Sequence, residues 1–262
     1  MKHSCPVCCY SADFVFEAIV LKKHTARYYS CSNCGYLYAS EPFWLEEAYG
    51  SAISAADTGL VYRNIKFSTI LSSFLFLIGA TNASHVDISG GTGLFTRLMR
   101  DNGFNYFWSD PYCKNIHARG FEYESSIANV DCTTAFEVLE HLTNPYELFS
   151  TAFKGLKANT LIISTEIFRG SPPSLKEWSY YSLNTGQHIG FFQKRTLEFI
   201  AKKLNLFFSS SGNIHIFSKQ PINTFLFNLV NKRFGVLPAS IIRKILGSHI
   251  DGDYELMMEK IK

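Results

Sequence analysis

The clearest pattern of apolar and polar positions in the chain lies between residues 85 and 99. A short β-prone run ends in Asp87, and a glycine-dense turn follows it. Beyond the turn, apolar side chains return at helical spacing, at Leu94, Phe95, Leu98 and Met99. The pattern therefore predicts a strand, a tight loop and a helix. Such a unit begins a nucleotide-binding α/β domain, in which the ligand lies over the glycine loop at the carboxyl end of the strand.

The chain beyond this unit continues to alternate between strand and helix patterns. Apolar runs that predict further strands occupy 105–110, 131–136 and 161–166, and another strand is expected within 119–129. Helical spacing over 196–204 precedes two short strands around Ser211-Gly212-Asn213, which is a hairpin signal. We therefore expect one α/β sheet that is closed by an antiparallel hairpin.

Helical patterns flank this predicted core on both sides. Apolar positions in 42–80 suggest a short helix and a longer one, and the pattern is helical again from Pro221, with a break near Gly235. The chain is accordingly divided into four parts: 1–40, a cysteine-rich module; 41–80, a helical cap over the ligand site; 81–219, the α/β core; and 220–262, a helical extension. The basic pairs Lys232-Arg233 and Arg243-Lys244 are interpreted as solvated faces, with phosphate contact as the alternative.

Composition limits the class of protein. The chain has 262 residues with 47% hydrophobic and 18% charged residues, which suits a globular α/β core plus a small accessory module. The net charge of +3 does not by itself argue for nucleic acid. The N-terminus has no apolar signal region, and the longest apolar run, 74–80, is too short to span a bilayer. A cytoplasmic protein without a membrane span is expected.

The cysteines are concentrated at the N-terminus. Five of the seven lie in the first 34 residues, within Cys5-Pro-Val-Cys8-Cys9 and Cys31-Ser-Asn-Cys34. Two Cys-x-x-Cys turns separated by a β-rich stretch are typical of a zinc ribbon, in which four thiolates complete a tetrahedral site. A redox pair is the alternative, and Cys9 is a spare thiol or an alternative ligand. We predict a structural Zn²⁺, because four ligands leave no open position.

The glycine loop itself narrows the choice of ligand. No Gly-Lys-Ser/Thr follows it, which excludes a P-loop, and Thr96 stands where a dinucleotide fingerprint needs its third glycine. Asp110 lies 23 residues after Asp87, at the end of the next predicted strand. That position suits an acid that accepts hydrogen bonds from ribose hydroxyls. The alternative is an N-cap for a following helix, with Pro111 at its first position.

Two motifs resemble the class I S-adenosylmethionine (SAM)-dependent methyltransferases. Their motif I, Asp-x-Gly-x-Gly-x-Gly, is matched at Asp87, Gly91 and Gly93, whereas Ser89 replaces the first glycine and Gly90 fills a variable position. The block 137–142, Glu-Val-Leu-Glu-His-Leu followed by Asn-Pro, is similar to the turn after their fourth strand. The resemblance implies a Rossmann-like sheet of seven strands in the order 3-2-1-4-5-7-6, with an antiparallel last strand. It also implies a SAM site formed by Asp87, Ser89, Gly90, Gly91, Gly93, Asp110 and Phe136.

The resemblance also indicates where the chemistry takes place. Glu137, Glu140, His141 and His188 are expected to converge at the mouth of the site, which is a donor set suited to a divalent metal. The set resembles that of small-RNA 2′-O-methyltransferases, whose metal engages ribose hydroxyls. Two alternatives stay open: His141 or His188 is a metal-free general base, or both histidines only shape the pocket. The aromatic cluster in 178–181 either stacks on an acceptor or covers the core.

These observations lead to one leading function and two rivals. The leading one is O-methylation of a small carbohydrate, sugar-nucleotide or metabolite hydroxyl, because some zinc-ribbon-headed members of this superfamily act on such acceptors. The first rival is an RNA methyltransferase whose ribbon binds the substrate, although 1–60 has no dense Lys/Arg tract. The second is a non-catalytic SAM-binding module.

Overall fold

The computed structural model describes residues 3–50, 53–127 and 129–261. Its strands are β1 (His3–Ser4), β2 (Ser11–Val20), β3 (His24–Ser30), β4 (Leu37–Ala39), β5 (Ser84–Ile88), β6 (Asn105–Ser109), β7 (Val130–Phe136), β8 (Thr160–Ser164), β9 (Gly190–Phe191), β10 (Phe207–Ser211) and β11 (Ile214–Ser218). Its helices are α1 (Leu45–Ala48), α2 (Leu60–Leu77), α3 (Leu94–Asp101), α4 (Tyr146–Ser150), α5 (Lys194–Lys203), α6 (Thr224–Lys232), α7 (Ala239–Leu246) and α8 (Ile250–Ile261). Short 3₁₀ turns cover Leu139–His141 and Ser179–Tyr181.

The core sheet has six strands in the order β10-β11-β8-β7-β5-β6. Strands β5 to β8 pair in parallel, whereas β11 is antiparallel to both β8 and β10. The hairpin therefore closes the sheet, and the carboxyl ends of four parallel strands meet at one edge. The prediction of a Rossmann-like α/β sheet with an antiparallel strand is confirmed.

The predicted strand count of seven is wrong for the described residues. Where a third predicted strand was expected in 119–129, a single parallel bridge joins Trp108 to Glu122. Backbone bonds from Trp108 N to Phe121 O and from Tyr123 N to Trp108 O account for the pairing. The Glu122 carboxylate folds back to accept from Asn115 Nδ2 and from the Gly120 amide. This local turn competes with extension of the ladder; Ala128, within the same segment, lies outside the described residues.

The N-terminal strands form a second sheet that is joined to the rest of the chain. Strands β1 to β4 are antiparallel, and β9, from far along the chain, pairs with β4 at Leu37↔Phe191 and Tyr38↔Gly190. Tyr146 Oη donates to Val7 O at 2.7 Å, and Thr196 Oγ1 donates to Cys34 O at 2.9 Å. These contacts place the cysteine module against α4 and α5, on one face of the core sheet.

Helices α2 and α3 cover the opposite face of the core sheet. Phe67 and Phe74 of α2 are buried with Phe95 and Met99 of α3 in one apolar cluster. After the core sheet the chain forms α6, α7 and α8, and Arg100 of α3 holds α8 through a buried two-point ion pair with Asp253 (2.8 and 2.5 Å). Within the described residues, none of the helices combines the length and the apolar character needed to cross a membrane.

Candidate active site

The glycine loop between β5 and α3 is tightly packed beneath its backbone. At Gly90 an added Cβ would lie 2.6 Å from Asp87 Oδ2 and 2.9 Å from Trp108 Cδ1. Gly93 has a φ of +83°, and a Cβ there would lie 2.5 Å from Asn115 Oδ1. Both positions therefore require glycine, one because of close approach and the other also because of its left-handed backbone. Residues 89–92 of the loop are partly exposed, and Gly93 is buried.

Asp87 is buried beneath this loop. Its Oδ1 accepts a hydrogen bond from Thr134 Oγ1 on β7 at 2.7 Å, which ties β5 to its neighbour. Burial, and then the nearby charge of Asp110, raise the pKa of Asp87 to about 7. The carboxyl group supports the loop from below.

Asp110, at the end of β6, ties the glycine loop to the second strand. Its Oδ2 accepts from Gly91 N at 2.9 Å, and its Oδ1 accepts from Tyr112 N and Cys113 N at 2.8 and 2.9 Å. The predicted alternative of a helix N-cap is wrong in its detail, because the capped segment is a turn and no helix follows Pro111 in the described residues. Each carboxylate oxygen can accept more than one bond, so ribose binding by Asp110 stays a prediction.

Phe136 lies at the carboxyl end of β7, near the loop. Its ring stacks on Phe67 of α2, with centroids 4.5 Å apart, and meets Phe95 of α3 edge-on at 4.9 Å. These contacts hold α2 and α3 to the strand end. The role of Phe136 as a wall of the cofactor pocket stays a prediction.

Three of the four predicted metal ligands converge beside this loop. Glu140, His141 and His188 each offer a ligand atom, and these atoms lie within 4.8 Å of one another. The first two sit on the 3₁₀ turn after β7, and the third lies just before β9, where Ile189 N donates to Glu140 O at 2.9 Å. The two imidazole rings are perpendicular, with centroids 4.8 Å apart.

Hydrogen bonds orient both histidines toward the cluster. His141 Nδ1 lies 3.1 Å from Gln187 O, and His188 Nδ1 lies 2.6 Å from Tyr180 O. Because a carbonyl only accepts, each Nδ1 donates the proton of its hydrogen bond. Burial, and then His188, lower the pKa of His141 to about 3, so this ring is neutral at physiological pH. Neutral imidazoles with an oriented Nδ1–H are the form that binds metal ions.

Glu140 supplies the negative charge of the cluster. It is 0% exposed, and its Oε1 accepts from Tyr180 Oη at 2.6 Å. Its Oε2 is buried and has no hydrogen-bond partner among the residues that the structure describes. A buried, unpartnered carboxylate oxygen is costly unless something of opposite charge satisfies it. The donor set of one carboxylate and two imidazoles therefore fits a divalent cation.

Glu137 lies apart from this cluster. Its backbone has a φ of +54°, and its Oε1 accepts from Ser164 Oγ on β8 at 2.6 Å. Burial, and then the charge of Glu140, raise the pKa of Glu137 to about 7. The structure thus places this carboxyl group against β8, and it does not belong to the group of converging ligand atoms.

The sequence of the chain matches that of a known protein family. A family model described as a methyltransferase domain matches residues 62–207, more than half of the chain. The chain belongs to this methyltransferase family. The predicted family is thereby confirmed. No curated protein matches the chain in sequence.

Solved structures similar to this chain include three that differ widely in size. The small RNA methyltransferase HEN1 matches at 16% identity and a TM-score of 0.40, over 58% of this chain and 25% of its own. TnmH matches at 14% identity and a TM-score of 0.47, over 68% of this chain and 62% of its own. A possible histamine N-methyltransferase from Thermotoga maritima matches at 13% identity and a TM-score of 0.44, over 68% of this chain and 98% of its own. The chain thus spans only part of the first two proteins.

The four predicted zinc ligands come together in the N-terminal sheet. Cys5, Cys8, Cys31 and Cys34 are buried, and their sulfurs lie within 4.8 Å of one another. The Sγ atoms of Cys5 and Cys34 are 3.6 Å apart, and those of Cys8 and Cys31 are 3.3 Å apart. Sulfurs bound at about 2.3 Å to one tetrahedral zinc would be about 3.8 Å apart, so the cluster is compatible with Zn²⁺. Cys9 is exposed and outside the cluster.

Two tyrosines that hold the Glu/His cluster were not predicted as site residues. Tyr180 contacts both Glu140 and His188, and Tyr49 Oη lies 2.9 Å from His141 Nδ1. The aromatic run 178–181 was a signal for the first, although it did not indicate a polar role. Tyr49 had no signal, because its contact with His141 joins residues 92 positions apart.

Proposed function

We propose that the protein transfers the methyl group of SAM to a hydroxyl of a small acceptor, with a carbohydrate, sugar-nucleotide or hydroxylated metabolite as the preferred class. The observation that carries the proposal is the unpartnered Glu140 Oε2 beside His141 and His188. This group lies at the carboxyl edge of the parallel strands, as does the glycine loop. A donor set of this kind suits an oxygen acceptor, since hydroxyl groups are ligands of hard divalent cations.

The chain would hold SAM over the loop between Asp87 and Gly93, with Asp110 accepting from the ribose hydroxyls. SAM supplies an activated methyl group, so the protein has to align the acceptor and remove its proton. The contact of the half-buried Trp108 with the loop supports this placement, because Trp108 Nε1 donates to Gly91 O at 2.9 Å.

The acceptor would lie at the Glu140, His141 and His188 cluster. When bound there, a divalent cation would lower the pKa of a coordinated hydroxyl. Without a cation, His188 is the chain's own candidate for the proton acceptor, because it belongs to the cluster, whereas Glu137 lies apart from it and accepts from Ser164 Oγ. His141 is a poor candidate for that role, because a base with a pKa of about 3 has little driving force for accepting a proton.

Methyl transfer from radiolabelled SAM tests the proposal. The zinc-loaded protein is assayed with sugar-nucleotides, free sugars and hydroxylated metabolites in the presence of Mg²⁺ or Mn²⁺, and with short RNA as a separate arm. We expect transfer to at least one small hydroxyl acceptor, reduced about 100-fold or more by Glu140→Gln. Glu147→Gln, an exposed acid on α4, is the matched control and should retain full activity.

Two outcomes would contradict the proposal. Methyl transfer to RNA but to none of the small hydroxyl compounds would show that RNA is the acceptor. Transfer that survives both Glu140→Gln and His188→Asn would remove the cluster from the reaction while leaving the family unchanged.

A further inference from the structure

Two stretches of the chain carry cations but no carboxylates. Residues 58–86 include α2 and have no Asp or Glu, and residues 199–250 include α6 and α7 and have none either. The second stretch carries seven cations: Lys202, Lys203, Lys219, Lys232, Arg233, Arg243 and Lys244. The whole chain has a net charge of only +3, so this separation of charge is a property of these elements and not of the composition.

The fold brings α2, α6 and α7 together on one side of the molecule, and with them Lys232, Arg233, Arg243 and Lys244. The other three cations lie elsewhere: Lys202 and Lys203 are on α5, beside the cysteine module, and Lys219 follows β11. Phe227 of α6 packs edge-on against Phe74 of α2, with centroids 5.5 Å apart. The connection from α6 to α7 lies along α2, because Ser73 Oγ accepts from Val236 N and Leu237 N at 3.0 and 3.1 Å. We call the exposed surface of α6, α7 and their connection, together with the adjoining part of α2, the basic-apolar face.

Large apolar side chains project from this face beside the cations. Phe225 is 77% exposed, Ile245 is 60% exposed and Phe234 is 56% exposed. Lys66 Nζ lies over the Phe234 ring, 5.1 Å from its centroid. These exposed residues are distinct from the inward-facing ones of the same helices, such as Phe227 and Ile242, which are buried.

Helix α7 shows the arrangement most clearly. Ile241 and Ile245 are one turn apart, and Lys244 projects between them, so all three lie within about a third of the helix circumference. Ile242 lies toward α2 and is fully buried. The outer side of α7 therefore presents two aliphatic side chains with a cation, in a helix that has no acid.

We propose that the basic-apolar face docks on a membrane surface that contains anionic phospholipids. Interfacial helices of this kind bury apolar side chains at the level of the headgroups while Lys and Arg contact lipid phosphates. Charge complementarity supports this occupant, since exposed Lys232, Arg233 and Lys244 form no ion pair within the described residues. The exposed isoleucines favour a membrane over RNA, because RNA binds through phosphate contacts and base stacking and gives aliphatic side chains no apolar surroundings.

Docking of this kind would be peripheral and reversible. It requires no spanning segment, and it would depend on salt, because the phosphate contacts are screened. It would bring the methyltransferase close to acceptors held at a membrane. The docking itself does not rest on the identity of the acceptor.

Vesicle flotation of the full chain tests the proposal. Vesicles of phosphatidylcholine with about one third phosphatidylglycerol are compared with pure phosphatidylcholine, at low and high salt. We expect binding to the anionic vesicles only, and we expect it to weaken as salt rises. The double variant Lys232→Gln, Lys244→Gln should bind the anionic vesicles about 30-fold more weakly, since each cation near such a surface contributes about a factor of five to the affinity. Lys154→Gln with Lys176→Gln is the matched control, because both of these lysines are exposed elsewhere.

The apolar part of the face is tested by a second pair of variants. Ile241→Ser with Ile245→Ser should weaken vesicle binding about tenfold or more without lowering the unfolding temperature, because both side chains are exposed. Ile19→Ser, an equally exposed isoleucine on β2, should leave binding unchanged. No binding to anionic vesicles, or binding that the face variants do not change, would overturn the proposal. Salt-sensitive binding of RNA by the same cations in the absence of vesicle binding would also overturn it and would identify RNA as the partner.

Discussion

Glu140→Gln should stabilise the metal-free protein while removing its response to metal. In the wild type, Glu140 Oε1 accepts from Tyr180 Oη, whereas the buried Oε2 has no partner. Glutamine keeps the first contact and replaces the second oxygen with an amide that can donate to the Nε2 lone pair of His141. A buried oxygen without a hydrogen-bond partner costs about 1–3 kcal/mol, so we expect the free energy of unfolding to rise by that amount.

A divalent cation should reverse the order of stability. A ligand at 100 times its Kd stabilises the folded state by about 2.7 kcal/mol, and this gain belongs to the wild type alone if Glu140 is a ligand. Wild type and variant are compared by urea unfolding in buffer depleted of metal by resin, and again with Mn²⁺ or Mg²⁺. A chelator is avoided, because it would also strip the cysteine cluster.

Two results would refute this reasoning. The first is a Glu140→Gln variant that is less stable than the wild type without metal, because the orphaned oxygen would then not be a cost. The second is an equal rise in stability with Mn²⁺ for both proteins. Glu147→Gln is the control, and its free energy of unfolding should change by less than about 0.5 kcal/mol in either buffer.

Three further predictions concern the loop, the cysteine cluster and the C-terminal helix. The raised pKa of Asp87 means that the folded state holds its proton more tightly than the unfolded state, so stability falls as pH rises toward 7. Between pH 5.5 and 8, the free energy of unfolding in urea should fall by about 2 kcal/mol for the wild type but not for Asp87→Asn. Parallel pH profiles of the two proteins would contradict this. Cys31→Ala should abolish stoichiometric zinc binding, measured by a colorimetric assay of released zinc, whereas Cys9→Ser should retain it. Equal amounts of zinc released from both variants would exclude the four-cysteine site. Asp253→Asn leaves Arg100 buried without a counter-charge, so the free energy of unfolding should fall by about 3 kcal/mol and α8 should lose hydrogen-exchange protection first; unchanged protection would show that the ion pair does not hold α8.

Local patterns were enough to predict the main elements of the core. The strand, loop and helix around Asp87 follow from apolar periodicity and glycine spacing, which are read within 15 residues. The hairpin of β10 and β11 follows from its turn residues in the same way. The four cysteines were also predictable, because the requirement of a tetrahedral metal appears directly as two short spacings.

Contacts between distant residues were not predictable in this way. The pairing of β9 with β4 joins the N-terminal sheet to a dipeptide about 150 residues away, and a two-residue strand has no periodicity to detect. The third strand was expected by analogy, whereas side-chain bonds from Glu122 to its own turn compete with the ladder. Such local competition cannot be read from apolar spacing.

The sequence predicted which residues form the candidate site better than it predicted how their side chains are arranged. Helical spacing suggested that Glu137 would project with Glu140 and His141, but the positive φ of Glu137 turns its side chain to Ser164. The difference in the surroundings of these two carboxyl groups depends on tertiary burial. Tertiary burial thus separates Glu140, a proposed metal ligand, from Glu137, and the sequence alone did not separate them.

Titration of S-adenosylhomocysteine into the zinc-loaded protein tests where the cofactor binds. By isothermal calorimetry we expect one site per chain, with affinity reduced about tenfold or more in Asp110→Asn because ribose hydrogen bonds to a charged acceptor are weakened. Absence of binding to the folded wild type, or equal affinity in Asp110→Asn, would contradict the placement of the cofactor over the loop between Asp87 and Gly93.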